Sequence, residues 1–473
     1  MTERTDRWTV RSSQAELRDD LGPCRRRAGR GGHHGHVMVR GRRMGFGLVV
    51  VAVVCGLSTG CTVRTESRAA SADGPTTAAE ELGAGPTVAA PPARDRTSEV
   101  TSTGTGTTTT EPISVSPSTS KSSTGTSTTE APLTGWAATD AYLLRRIIGG
   151  GSTAASFAIS VDGEIIHTSA MGMRTLEEPE TATTTDRFRI ASISKVITAI
   201  TVLRLVEQGL VGIDDPVGGR IASELGVEAQ PGGTADITVR QLLTHTSGFG
   251  QYENVFFGAQ VGSCREAATV GFSRPLAGTP GVGYRYSNMN FCVLGLLIES
   301  LTGLPYDQVV YEQLLTPLGI SGMRLASTYD PGPDEIEHRT SIGRNYMESL
   351  GGAGGWVATP SDLVTILNSL DLTTPGWKPL TADTVTAMRV SATDPLVPDR
   401  GYGMGLILYG NGAFGHTGTV ESTHAMVLDR GDGVTWAITV AGESPSESSD
   451  LATIVDKALE AGGFVAGAPP EVD

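Results

Sequence analysis

The sequence predicts an α+β fold: one antiparallel sheet formed by the N- and C-terminal segments of the folded part, with helices packed on it and a helical region inserted between. Three observations support this. Ser156 to Val161 and Glu164 to Ser169 flank Asp162 and Gly163, the pattern of a tight β-hairpin. A long middle section carries apolar residues at three- and four-residue spacing. Strand-like runs return after Met404.

Two segments of different composition precede the folded part. The chain has 473 residues, a formal charge of -15 and a sequence pI near 5.0, so it offers no basic face for phosphates and a nucleic-acid partner is not expected. Residues 1–60 read as an N-terminal extension and export signal. Arg40, Arg42 and Arg43 precede the apolar run Phe46 to Leu57, which is short for a bilayer span and suits a signal h-region, with Met38 as the expected start. Gly60 before Cys61 resembles a bacterial lipobox, although Ser58 stands where an aliphatic residue is usual. Cys61 is then the expected lipidation site. The expected location is an exported, membrane-anchored lipoprotein facing the cell wall, with ordinary secretion as the alternative. Residues 61–133 are dominated by Ser, Thr, Ala, Pro and Gly, with too little apolar surface to offset the entropy of ordering them. They read as a disordered tether whose ends lie on the order of 50 Å apart.

The folded domain is assigned to residues 134–473. Ala137 to Ile148 reads as an amphipathic helix, followed by the hairpin. The middle section offers helices at Val239 to Thr246, Met289 to Leu301, Tyr306 to Leu315, Ser361 to Leu370 and Ala382 to Met388. Strands are expected at Met404 to Tyr409, Ala413 to His416, His424 to Leu428 and Val434 to Val440, and Ser446 to Glu460 closes as a helix.

Chemistry points first to Phe188 to Leu203. Ser192 and Lys195 form a Ser-x-x-Lys tetrad at the head of an apolar segment in which Ile193, Val196, Ile197, Ile200 and Leu203 mark a helix packed on one side. Residues three apart on a helix share a face, so hydroxyl and amine can meet. A serine needs such a base to attack a carbonyl, and a lysine can serve only if its neutral form is favoured. The alternative is a Ser cap followed by a surface lysine. Lysine usage tells against it: the chain has four (Lys121, Lys195, Lys378, Lys457) and otherwise writes arginine, which cannot act as a base.

Two further motifs follow. Tyr286, Ser287 and Asn288 come after a Pro-Gly turn and open an apolar helix. Ser287 or Asn288 can simply cap that helix. Functionally, Tyr286 offers a phenol that Lys195 can hold near deprotonation, and Asn288 an amide that can orient a substrate amide. His416, Thr417, Gly418 and Thr419 sit on an expected edge strand, where the glycine admits a substrate backbone and the Thr419 N–H joins that of Ser192 as an oxyanion hole.

In this order and at these intervals, the three motifs resemble those of the penicillin-recognising serine hydrolases, which include class C β-lactamases, D-alanyl-D-alanine carboxypeptidases and related esterases. Leu242 to Phe249 and Gly354 to Thr359 resemble recurrent family segments, read here as scaffold with Gly248 a helix stop and Thr359 or Ser361 a helix start. The resemblance spans roughly residues 136–463 and implies a β-lactamase/transpeptidase-like α/β sandwich. It implies Ser192 as the acylated nucleophile, Lys195 and Tyr286 as the proton-transfer pair, and Asn288 as a substrate-orienting group. Thr417 to Thr419 would line the site. His416 stands where many β-lactamases have lysine; a mostly neutral imidazole weakens recognition of a substrate carboxylate. This tilts the expectation toward a peptidase or esterase with at most weak β-lactamase activity.

Cys264 and Cys292 are expected to form a disulfide in an exported domain, two buried free thiols being the alternative. Asp214 and Asp215 before Pro216 read as a turn rather than a paired acid site. The five cysteines match no zinc spacing, and His33, His34 and His36 lack acidic partners, so neither metal nor cofactor is expected. The expected partner is a small-molecule, peptide or ester substrate, and the chain is expected to be a monomer. The rival reading is a catalytically weak envelope lipoprotein that binds wall peptide or lipid in the same pocket.

Overall fold

The computed structural model describes residues 51–54, 62–65, 133–177, 180–230, 232–393 and 400–464. In the N-terminal unit, β1 (Val51–Val54) pairs antiparallel with β2 (Thr62–Thr65). β2 thus places four residues of the expected tether in a strand, in keeping with their β-branched composition. Cys61, the expected lipidation site, lies outside the described residues.

The second unit runs α1 (Gly135–Ile147), β3 (Ala154–Val161), β4 (Glu164–Gly172), β5 (Phe188–Arg189), α2 (Ser194–Glu207), α3 (Gly218–Leu225), α4 (Val239–Leu243), α5 (Glu253–Phe257), α6 (Cys264–Phe272), α7 (Asn288–Thr302) and α8 (Tyr306–Val310). It continues through β6 (Arg324–Leu325), α9 (Tyr346–Leu350), β7 (Trp356–Ala358), α10 (Pro360–Asn368), α11 (Ala382–Met388), β8 (Arg400–Tyr402), β9 (Ile407–Tyr409), β10 (Phe414–Val420), β11 (Thr423–Asp429), β12 (Val434–Ala441) and α12 (Asp450–Ala461). Seven strands form an antiparallel sheet in the order β4-β3-β12-β11-β10-β9-β8. The N- and C-terminal segments meet at β3 and β12, where Ile159 faces Trp436. The fold is therefore α+β, with the helical region inserted between the two sets of strands.

Alternation along the strands serves both faces. Phe157, Ile159, Trp436 and Ile438 pack against Leu143 and Ile147 of α1 and Leu451 and Val455 of α12. On the other face the smaller Ala158, Ala425 and Ala437 join the core that contains α2, α7 and α10. The hairpin turn is as expected, with Asp162 and Gly163 at φ 49° and 87°, the double positive φ of a two-residue turn.

Other expectations are corrected. The α2 helix is not packed on one side: 11 of its 14 residues are buried, and it runs through the core between the sheet and the helical region. Gly248 is not a helix stop, because α4 ends at Leu243; Gly248 has φ 85° and a Cβ there would lie 2.2 Å from the Gly278 carbonyl oxygen. Thr359 does start a helix, through a capping box with Asp362. The strand expected from Met404 begins only at Ile407, and the closing helix begins at Asp450 rather than Ser446. Cys264 and Cys292 are joined by a disulfide that ties α6 to α7, with Cα atoms 5.4 Å apart.

Candidate active site

Ser192 lies in a 3-10 turn, Ala191–Ile193, that feeds directly into α2. The preceding residues are tied down, since the Ile190 N–H donates to the Trp356 carbonyl at 3.1 Å. Ala191 has φ 46°, a left-handed conformation that costs a residue with a Cβ on the order of 1–2 kcal/mol. That kink leaves Ser192 partly exposed between buried neighbours. Strand β10 passes so close that a Cβ on Gly418 would lie 2.2 Å from the Ile190 carbonyl oxygen. Gly418 therefore makes room for the protein's own backbone rather than for a substrate, which corrects the reading from sequence.

Along β10, His416 and Gly418 are buried, and Thr417, Thr419 and the His416 ring line a cleft. The strand is not an edge throughout. It pairs with β9 at Phe414 and Gly415, and among the described residues that side is unpaired from His416 onward.

Lys195 is wholly buried, and its Nζ lies 2.9 Å from Ser192 Oγ, 2.8 Å from Asn288 Oδ1 and 2.7 Å from the Ala353 carbonyl oxygen. Burial pushes this amine well below the ordinary lysine range, and the charge of Glu253 opposes that only in part. The three neighbours suit a neutral amine. Asn288 Oδ1 and the Ala353 carbonyl only accept, so they take its two N–H groups. Ser192 Oγ, which accepts from Nζ here, is the one neighbour that can also donate, so it can pass its proton to the amine in its neutral form.

Tyr286 hydrogen-bonds Ser192 through its hydroxyl, and its ring centroid is 5.0 Å from Lys195 Nζ. Burial drives the phenol well above its usual value, and the bond to Ser192 offsets this only in part. The expectation that Lys195 holds it near deprotonation is corrected, because a neutral lysine supplies no charge to stabilise a phenolate. Ser287 caps α7, accepting from the Met289 N–H at 3.2 Å. Asn288, the first residue of α7, has its amide oxygen committed to Lys195, which leaves its NH2 to meet a substrate oxygen.

Ser192, Tyr286, Thr417 and Thr419 line a cleft of about 400 Å³ together with Tyr284, Tyr402 and Arg400. His416 is 2% exposed, and burial lowers its pKa to about 3, so it carries no charge for a carboxylate. Among the described residues lining the cleft, Arg400 is the permanent cation, and it is exposed.

A family model described as Beta-lactamase matches residues 141–460. The chain belongs to the beta-lactamase family. It is 30% identical over 233 residues to Esterase EstB of Burkholderia gladioli, covering 44% of this chain and 57% of that one. It is 31% identical over 190 residues to the D-alanyl-D-alanine-carboxypeptidase/endopeptidase AmpH of Escherichia coli K12, covering 37% and 46%. The chain thus spans about half the length of the curated relatives it matches. Among solved structures, the octameric penicillin-binding protein homologue from Pyrococcus abyssi matches with TM-score 0.58 and 21% identity, over 70% of this chain and 78% of that one, which shows the fold.

Within this beta-lactamase-family domain, Ser192 with Lys195 and Tyr286 with Asn288, two pairs distant from each other in sequence, come together at one end of the cleft. The Asp214–Asp215 turn is spent locally: Asp214 pairs with Arg240 at 2.6 Å and Asp215 accepts from the Gly212 N–H at 2.6 Å. Sequence reasoning missed Ala353, which acts through its backbone and leaves no sequence signal. It also missed His245, Tyr402 and Arg400. His245 carried a signal, an imidazole inside the apolar Leu242 to Phe249 segment, but that segment reads as scaffold.

Proposed function

We propose that the protein is an exported serine hydrolase of the cell envelope that works through an acyl-enzyme on Ser192, with a peptidase- or esterase-type substrate. The observation that carries this is the fully buried Lys195 amine 2.9 Å from Ser192 Oγ. Burying such an amine is costly, and a binding module gains nothing from it. In acylation Ser192 Oγ bonds to the substrate carbonyl carbon while its proton passes to Lys195 Nζ. The Ser192 and Thr419 N–H groups are assigned to the developing oxyanion, each such donor being worth roughly 3 kcal/mol. Tyr286 gives its hydroxyl proton to the leaving group as the carbonyl–leaving-group bond breaks, and regains one from Lys195. Water then releases the acyl group by the reverse proton path.

The names of the two curated relatives, an esterase and a carboxypeptidase, support an ester or a D-alanyl peptide as substrate. An uncharged His416 supports these over efficient β-lactam turnover. A substrate carboxylate is assigned to Arg400. Export and lipidation at Cys61 rest on the Arg40 to Leu57 signal pattern and the small residue before Cys61.

The test is covalent labelling with a fluorescent penicillin and a fluorophosphonate. Wild type labels with at least one probe and Ser192→Ala with neither. A wild type that neither probe labels favours the rival envelope binder.

A further inference from the structure

At the wall of the cleft, which Tyr402 and His416 also line, His245, Tyr402 and His416 form a buried chain that joins the second motif to the third. The Tyr402 hydroxyl lies 3.2 Å from His245 Nε2 and 3.2 Å from His416 Nε2. At one end, His245 Nδ1 receives the Ser287 backbone N–H at 3.2 Å and the Asn290 amide at 2.8 Å. At the other, His416 Nδ1 lies 2.6 Å from the Thr417 carbonyl oxygen.

The protons of this chain are determined from both ends. A backbone N–H can only donate, so His245 Nδ1 is bare and the ring's proton is on Nε2. Tyr402 accepts it and must pass its own proton on, to His416 Nε2. A carbonyl can only accept, so His416 carries its proton on Nδ1, which independently leaves Nε2 bare. The two ends demand the same direction, and every member is satisfied. A backbone observation agrees: His245 has φ 57°, a strained conformation for a residue with a Cβ, held with its ring fully buried. Its ring packs at 4.3 Å from that of Tyr286 and 4.8 Å from that of Tyr402.

We propose that His245 and Tyr402 are positioning residues for the hydrolase: they fix His416 as a neutral, Nδ1-protonated imidazole, and so hold β10 and Tyr286 in register with Ser192. The inference rests on the reading of Ser192 as nucleophile. The groups facing His416 are Lys195 from α2 and Arg400 and Tyr402 from β8. Those facing His245 are Lys195, His416, Tyr284, Tyr286 and Tyr402. A second proton on His416 would leave the Tyr402 proton without an acceptor and set a cation against Lys195, in the place where Ser192 must deliver its own.

The experiment uses the full chain with 15N-labelled histidine, and Tyr402→Phe, which keeps the ring and removes the link. In wild type, imidazole NMR shows His245 as the Nε2–H and His416 as the Nδ1–H tautomer. In Tyr402→Phe with unchanged folding, the rate constant for fluorophosphonate labelling falls by roughly ten- to a hundredfold. The acid limb of its pH profile moves to higher pH, because the neutral Nε2 of His416 has lost its donor, while burial still holds the ring below the ordinary imidazole range. A wild-type labelling rate and pH profile in a folded Tyr402→Phe overturns the proposal, as does a wild-type His416 protonated on Nε2. Should the variant not fold, the wild-type tautomers decide alone. A wild type that resists every probe yet shows both tautomers sinks the hydrolase reading and leaves the proton arrangement standing.

Discussion

A lysine that makes no ion pair among the described residues and an arginine at the rim divide the labour of the cleft. Lys195 is buried and held toward its neutral form, so it accepts a proton; Arg400 is exposed and permanently charged, so it can bind an anion but not move protons. His416, placed between these roles by its position in the motif, performs neither directly because burial keeps it uncharged. Arg400→Ala is therefore expected to weaken labelling by penicillin, which carries a carboxylate, by roughly tenfold. Labelling by an uncharged fluorophosphonate should stay within about twofold. The measurement is the probe concentration dependence of labelling; equal loss with both probes would remove Arg400 from carboxylate recognition. Ser192 and Lys195 were legible as a pair because a lysine set into an apolar helix one turn from a serine suits proton transfer and little else, and Tyr286 joined them through the resemblance of the three motifs to those of the family. Arg400 was not, because one exposed arginine among many has no sequence signature.

At the scale of elements, the site depends on how closely β10 passes the turn before α2. Gly418 is the contact point, and nothing flexible is there to yield: the atom a Cβ would meet is the Ile190 carbonyl oxygen, part of the backbone. Gly418→Ala is expected to force strand and turn apart. Ser192 labelling should slow by roughly a hundredfold, since a misplacement of about 1 Å costs that much, with a stability loss of about 1–3 kcal/mol. Labelling kinetics and urea unfolding of the same variant test both figures; unaltered labelling would show that the strand's approach does not set the nucleophile. Sequence periodicity placed β12, α7 and α11 closely, because each is regular and strongly patterned. It missed α6, whose Cys264–Phe272 segment is rich in small residues and held by packing and the disulfide more than by an apolar stripe.

Over the whole molecule, buried imidazoles make stability depend on pH. His338 and His416 are held at about 3 by burial, and His245 well below the ordinary value. Between about pH 3 and 6.5 the unfolded chain binds protons on the His338 and His416 rings and the folded chain does not, so stability rises with pH across that window and is lost on acidification, and His245 acts in the same sense. Each ring contributes about 1.4 kcal/mol per pH unit. Asp429, raised to about 6 by burial, titrates in the opposite sense below that pH and offsets one ring. Urea midpoints should therefore fall steadily from pH 7 to pH 5; a flat profile would mean that the imidazoles are not held neutral in the fold.

The order of motifs along the chain, the hairpin and the inserted helical region followed from local pattern alone, because periodicity and turn chemistry are encoded in neighbouring residues. Charge states and spacing did not. Whether Lys195 is neutral, whether Gly418 serves substrate or backbone, and which way protons run from Ser287 to Thr417 depend on groups tens to hundreds of residues apart meeting in a medium without water. Only packing supplies that medium, so only the folded chain decides them.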